Sequence, residues 1–138
     1  MAPDAVSPRQ EDRTLSFLFI AVGGAAGAVS RYVVDTWVSE QTMSSFPWGT
    51  FVVNISGSFV LGLLSALAID RSVLPADIRL PVLVGFVGAY TTFSTLMLET
   101  WRLVESGSNA LAIANIVGSG MLGIVALVLG LVVGRAIA

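Results

Sequence analysis

Four membrane-crossing helices in an all-α chain are the fold the sequence predicts, and three observations predict it. Of 138 residues, 55% are hydrophobic and 12% charged, whereas soluble domains are about half apolar and a quarter charged. Four apolar runs, near 15–38, 49–69, 80–104 and 109–135, each reach the roughly 20 residues needed to cross a hydrocarbon core about 30 Å thick. Only short polar stretches with turn signals separate them, so consecutive helices run antiparallel.

Ahead of this membrane domain, residues 15–138, the segment 1–14 (MAPDAVSPRQEDRT) is polar, charged and proline-bearing. It is predicted to be a disordered tail. Arg13 before an apolar run and AGA at 26–28 resemble a signal peptide with its cleavage site. Three equally long apolar runs follow, and the first continues to Val38, so it is read as a span.

Within the first span Gly23, Gly27, Arg31 and Asp35 recur every four residues and share one helix face. Small residues there admit a close neighbour, and Arg31 can pair with Asp35, snorkel to the interface, or guard an anion path with its charge. SEQTMSSFP, with Pro47, ends the span. In the second span Thr50, Asn54 and Ser58 form a polar stripe, with Gly57 and Gly62 close by. An amide near the bilayer midplane is costly unless bonded, so Asn54 is either interhelical glue or a donor to something passing.

DRSVLPADIR, with Pro75, leads into the third span, which differs from the rest. Gly85, Gly88 and the run Tyr90–Thr95 concentrate small and β-branched residues, poorer helix formers than the leucines around them, near its centre. Either the helix breaks there, exposing carbonyls and hydroxyls to a polar path, or it continues with its hydroxyls bonded back to their own carbonyls. Glu99 follows, as an interfacial charge or a vestibule acid. After RLVESGSN, with Gly107, the fourth span aligns Asn115, Ser119 and Gly123 on one face and carries a later Gly130/Gly134 pair suited to packing.

What is missing narrows the chemistry. The chain has no cysteine and no histidine, which removes thiolate chemistry, the commonest metal ligand and the usual proton shuttle. No Ser/His/Asp set or phosphate loop supports an enzyme. All seven basic residues are scattered arginines and the net charge is −2, so nucleic acid is not an expected partner. Five arginines (Arg9, Arg13, Arg71, Arg79, Arg135) fall on the side of the termini and two (Arg31, Arg102) on the other. That bias favours cytoplasmic termini in a multi-pass protein of the cell membrane, surrounded by lipid.

Three segments together, GGAAGAVSRY (23–32), WGTFVVNISGSFVLG (48–62) and GFVGAYTTFSTLMLE (85–99), resemble the signature of the Fluc/CrcB fluoride channels. The resemblance covers essentially the whole chain after the tail. It implies a passive fluoride exporter, an antiparallel dual-topology dimer with a broken third helix, two narrow pores and a structural sodium ion at the dimer centre. By the same resemblance the sodium ligands are the backbone carbonyls of Gly88 and Thr91. The pore residues are Asn54, Phe93, Ser94, Thr95 and Ser119, with Arg31 and Glu99 in vestibule positions. One departure stands out: the family's second pore phenylalanine is Leu96 here. Leu96 and the arginine bias both lean toward an antiparallel paralogue as partner, with a second copy of the chain as the other option. Two competing functions are a small multidrug-resistance-type exporter and a non-transporting membrane scaffold. The first needs an embedded carboxylate in span one, where only Asp35 stands, near the end; the second would use the polar stripes as glue.

Overall fold

The computed structural model describes residues 8–70, 79 and 81–137. Residues 1–7 of the tail and most of the 70–79 loop, with Arg71 and Pro75, lie outside the described residues, as does Leu80. Helix α1 spans Pro8–Thr42 and so begins inside the segment predicted as a tail. Proline suits a first helical turn, where its missing N–H costs nothing. The α1 helix ends where the Thr42 hydroxyl bonds back to the Val38 carbonyl (3.0 Å) and Met43 turns to φ 42°. A cluster of Phe46, Trp48 and Phe51, with ring centroids 4.7 to 5.6 Å apart, closes the short loop into α2.

Helix α2 spans Trp48–Ser65 and continues as a wider π turn over Ala66–Asp70. The third span opens with a π-wound segment, Pro81–Val87, followed by the short α3, Gly88–Tyr90; α4 covers Phe93–Glu105 and α5 covers Asn109–Ile137. Gly107 joins α4 to α5 at φ 77°. Around it Ser108 N–H bonds to Leu103 O (2.8 Å) and Gly107 N–H to Val104 O (3.0 Å), the paired bonds that satisfy the last carbonyls of a helix when a glycine adopts the left-handed conformation. Four helical segments, Thr14–Thr42, Trp48–Ala68, Pro81–Glu105 and Asn109–Ile137, are long and apolar enough to cross a membrane. Most overrun their sequence-predicted ends because flanking polar residues continue a helix into the interface until a breaker intervenes.

Glycines bring these helices together. A Cβ on Gly62 would overlap the Leu127 carbonyl of α5, and one on Gly130 the Phe59 carbonyl of α2, so the two backbones touch. Likewise a Cβ on Gly23 would stand 2.7 Å from Pro81 O, and one on Gly85 would stand 2.9 Å from Ile20 O. In lipid, where burying leucine against leucine gains little, such close backbone approach is a main source of helix association. The core is correspondingly small: Val53, Val87, Leu96 and Leu103 are buried, while Phe17, Tyr32, Phe93 and many others remain exposed.

Candidate functional site

Two residues of the third span are not helical. Thr91 (φ −78°, ψ 156°) and Thr92 (φ −147°, ψ 117°) are extended between the end of α3 and the start of α4. Gly57 makes room for them, since a Cβ there would collide with the Thr91 methyl. Asn54 then holds the bend by both edges of one peptide residue: its Oδ1 accepts from Thr92 N–H (2.8 Å) and its Nδ2 donates to Thr92 O (3.0 Å). Thr92 also caps α4, its hydroxyl oxygen accepting from Thr95 N–H (3.3 Å), as N-cap threonines do. The hydroxyls of Thr95 (3.0 Å) and Ser94 (3.4 Å) gather around that same oxygen.

These bonds redirect donors. In a continuous α-helix Thr92 N–H would bond Gly88 O, and Thr95 N–H would bond Thr91 O, four residues back. Here both donors are taken elsewhere, by Asn54 Oδ1 and Thr92 Oγ1. Of the two carbonyls between Gly88 O and Thr91 O, that of Ala89 accepts from Arg31 Nε at 3.3 Å. Gly88 and Thr91 therefore present carbonyls deprived of their helical donors, the kind of oxygen a hard cation takes. Among the described residues no group of three or more acidic, histidine or cysteine side chains could hold a metal.

Beside the bend lies a groove of about 430 Å³ whose walls include Asn54, Ser58, Phe93, Leu96 and Ser119. Phe93 stands at its rim, 74% exposed, while Leu96, one turn on, is buried in its wall. Ser119 is buried and its hydroxyl has no hydrogen-bond partner in the protein. Asn54 uses its carbonyl oxygen and one bond of Nδ2 on Thr92; an amide nitrogen carries two N–H groups, so a second remains for the groove.

A second cavity, of about 380 Å³, opens at the loop end and is lined by Glu99, Arg102, Ser45 and Ser106 among others. Glu99 Oε1 accepts from the Thr50 hydroxyl at 2.8 Å, and its Oε2 is buried without a partner. Asn115 is fully buried and donates to Thr100 Oγ1 (3.0 Å), which in turn donates to Leu96 O (2.8 Å). Asn115 Oδ1 likewise lacks a partner.

Of the residues singled out from sequence, the structure thus gathers Asn54, Phe93, Leu96 and Ser119 around one groove, with Thr91 on its wall. Ser94 and Thr95 are not among its lining residues and serve the cap of α4. Glu99 lies in the other cavity. Arg31 corrects the reading of a pair with Asp35: the guanidinium bonds Ala89 O in the neighbouring span, and no ion pair with Asp35 is formed among the described residues. Four residues were passed over as site members. Thr50 and Asn115 belong to the polar stripes the four-residue spacing revealed, whereas Thr100 and Arg102 left no signal beyond lying near Glu99 in sequence.

The groove and the bend lie inside a longer stretch that is similar to known proteins. Residues 18–131 match the family model described as CrcB-like protein, Camphor Resistance (CrcB). The chain belongs to the CrcB family. Relatives of this CrcB chain include the "Fluoride-specific ion channel FluC" of Magnetococcus marinus, 48% identical over 123 residues that cover 89% of this chain and 100% of that one. The protein of the same name from Maridesulfovibrio salexigens is 46% identical over 121 residues, 88% of this chain and 96% of its own. That from Acidobacterium capsulatum is 44% identical over 124 residues, 89% and 98% respectively. The groove, the extended pair and the loop-end cavity of this CrcB chain, whose residues run from Ser45 to Leu127, all fall within the matched region.

Proposed function

We propose that this chain is a fluoride-selective channel, not an enzyme, which lets fluoride leave the cytoplasm passively across the cell membrane. The observation that carries the reading is the similarity, over nearly nine-tenths of the chain, to relatives named fluoride-specific ion channels. The groove supplies the physical support. Fluoride is small and strongly hydrated, so a selective path must replace water's donors with its own. The spare Asn54 N–H and the unpartnered Ser119 hydroxyl are two such donors on one wall. Phe93 at the rim offers its positive ring edge, which attracts an anion weakly enough to release it. Two further part-buried polar pairs, Asn115 with Thr100 and Thr50 with Glu99, lie on the same helices, and Glu99 lines the loop-end cavity.

The functional unit in this reading is an antiparallel pair, either two copies inserted in opposite directions or this chain with a paralogue, enclosing two pores. The groove is open and Phe93 exposed in the single chain, as a surface completed by a partner would be. The discontinuity at Thr91 and Thr92 is the functional break, and the carbonyls of Gly88 and Thr91 would hold a structural sodium ion where the two chains meet. When bound, sodium would supply positive charge against the dipoles of those carbonyls. Arg31 takes the Ala89 carbonyl, next to that of Gly88, and acts on the break from the side.

Fluoride efflux from liposomes containing the purified chain tests the reading. Efflux should need an ionophore to compensate charge and should ignore an imposed proton gradient. Chloride leaving at a comparable rate would sink the selectivity claim.

A further inference from the structure

Asn54 touches both halves of the proposed machinery, the groove and the break, and its role at the break rests on the reading of a sodium site there. We propose that Asn54 is a positioning residue for that sodium site in addition to lining the groove: by seating the Thr92 peptide on both edges, it withholds Thr92 N–H from Gly88 O and keeps that carbonyl available to the cation. The bond to Oδ1 (2.8 Å) is the shorter of the two and is the one that diverts the donor. Gly57, one turn along α2, leaves the space in which Thr91 stays extended, and the Thr92 hydroxyl takes the donor that Thr91 O would otherwise use. Cation site and anion wall are therefore set by a single amide, its carbonyl oxygen acting on the break and its second N–H facing the groove.

The two halves of that amide can be separated. Asn54→Ala removes both, and Thr92 N–H is then free to close back on Gly88 O, as a helix favours. Asn54→Asp keeps an acceptor for Thr92 N–H while removing every donor. The readout is thermal unfolding of the purified full-length protein in detergent, titrated with sodium chloride against N-methylglucamine chloride, alongside fluoride efflux. Asn54→Ala should raise the sodium concentration for half-maximal stabilisation by about tenfold or more, the scale set by one carbonyl lost to a competing hydrogen bond. Asn54→Asp should leave that midpoint at or below the wild-type value although its flux falls too. Ser119→Ala, in the same groove but away from the break, should lose flux with the sodium midpoint unmoved.

A wild-type midpoint in Asn54→Ala overturns the proposal, as does an Asn54→Asp midpoint raised as far as that of Asn54→Ala. Should Asn54→Ala yield no folded protein, Asn54→Asp decides alone: a raised midpoint overturns the proposal and an unraised one supports it. A wild-type protein that sodium does not stabilise overturns the sodium site itself and this inference with it. A responsive wild type whose sodium midpoint none of the variants shifts removes only the role of Asn54.

Discussion

Helix α2 meets its neighbours in two different ways along its length. Toward its end, Gly62 lies against the α5 backbone with no side chain between, and Gly130 answers from the other side. Two turns earlier, Asn54 reaches across to the third span and is held by two hydrogen bonds to a peptide that has left the helix. The atoms nearest those two glycines are all backbone, so the first contact offers no polar side chain to a ligand. The second leaves groups over: an N–H of Asn54, two carbonyls without helical donors and a buried hydroxyl at Ser119. Close apolar packing gives stability; incomplete polar pairing gives a place where ions can exchange for protein partners.

The strongest way to break that contrast is to attack the packed region. Gly62→Val should force α2 and α5 apart, because its Cβ has nowhere to go, and destabilise the protein by about 3 kcal/mol or more, beyond ordinary overpacking. Thermal unfolding in detergent checks this, and a variant that melts with the wild type would show that the seam is looser than its geometry implies. Next comes Asn54→Ala, which should cut fluoride flux by roughly 10–100-fold, the equivalent of about 1–3 kcal/mol for hydrogen-bonding groups left unpaired. The yield of folded protein should fall much less. If the folded remainder conducts normally, the amide is glue and nothing more.

Ser119→Ala comes third, with flux reduced about five- to tenfold, since one hydroxyl contributes on the order of 1 kcal/mol. Stability should hold or rise slightly, because a buried hydroxyl without a protein partner is removed. The smallest expected effect is that of Leu96→Phe. Leu96 sits in the groove wall one turn from Phe93, and a ring edge there adds one weak anion site, raising flux by less than about tenfold, or 1.4 kcal/mol. Unchanged or lower flux in electrophysiological recordings would make residue 96 a packing position and remove Leu96 as an argument for a paralogous partner.

Much of the fold was legible because lipid imposes a simple rule. Runs of about 20 apolar residues bounded by Pro47, Gly107 and charged loops can only be spans, and all four are helical. The glycine spacing in α1 and the Gly130/Gly134 pair announced close packing, and they provide it. The stripes Thr50–Asn54–Ser58 and Asn115–Ser119 were also readable, since residues four apart share a face whatever the face meets. The π-wound stretches Ala66–Asp70 and Pro81–Val87 were not, as no local residue preference distinguishes them from ordinary helix.

By itself, then, the sequence determined that the chain crosses the membrane four times and which residues on each helix are polar, because hydropathy and helical period are local properties. Which polar groups meet was decided only by the tertiary structure. Arg31 had a candidate partner four residues away in Asp35, yet it bonds Ala89 O, 58 residues along the chain. Asn54 could be read from its spacing as glue or as donor, and only the structure put Thr92 beside it with a peptide that no helix was using. A side chain in lipid satisfies itself with the nearest available polar group, and in three dimensions the nearest group is chosen by how the glycines let the helices approach.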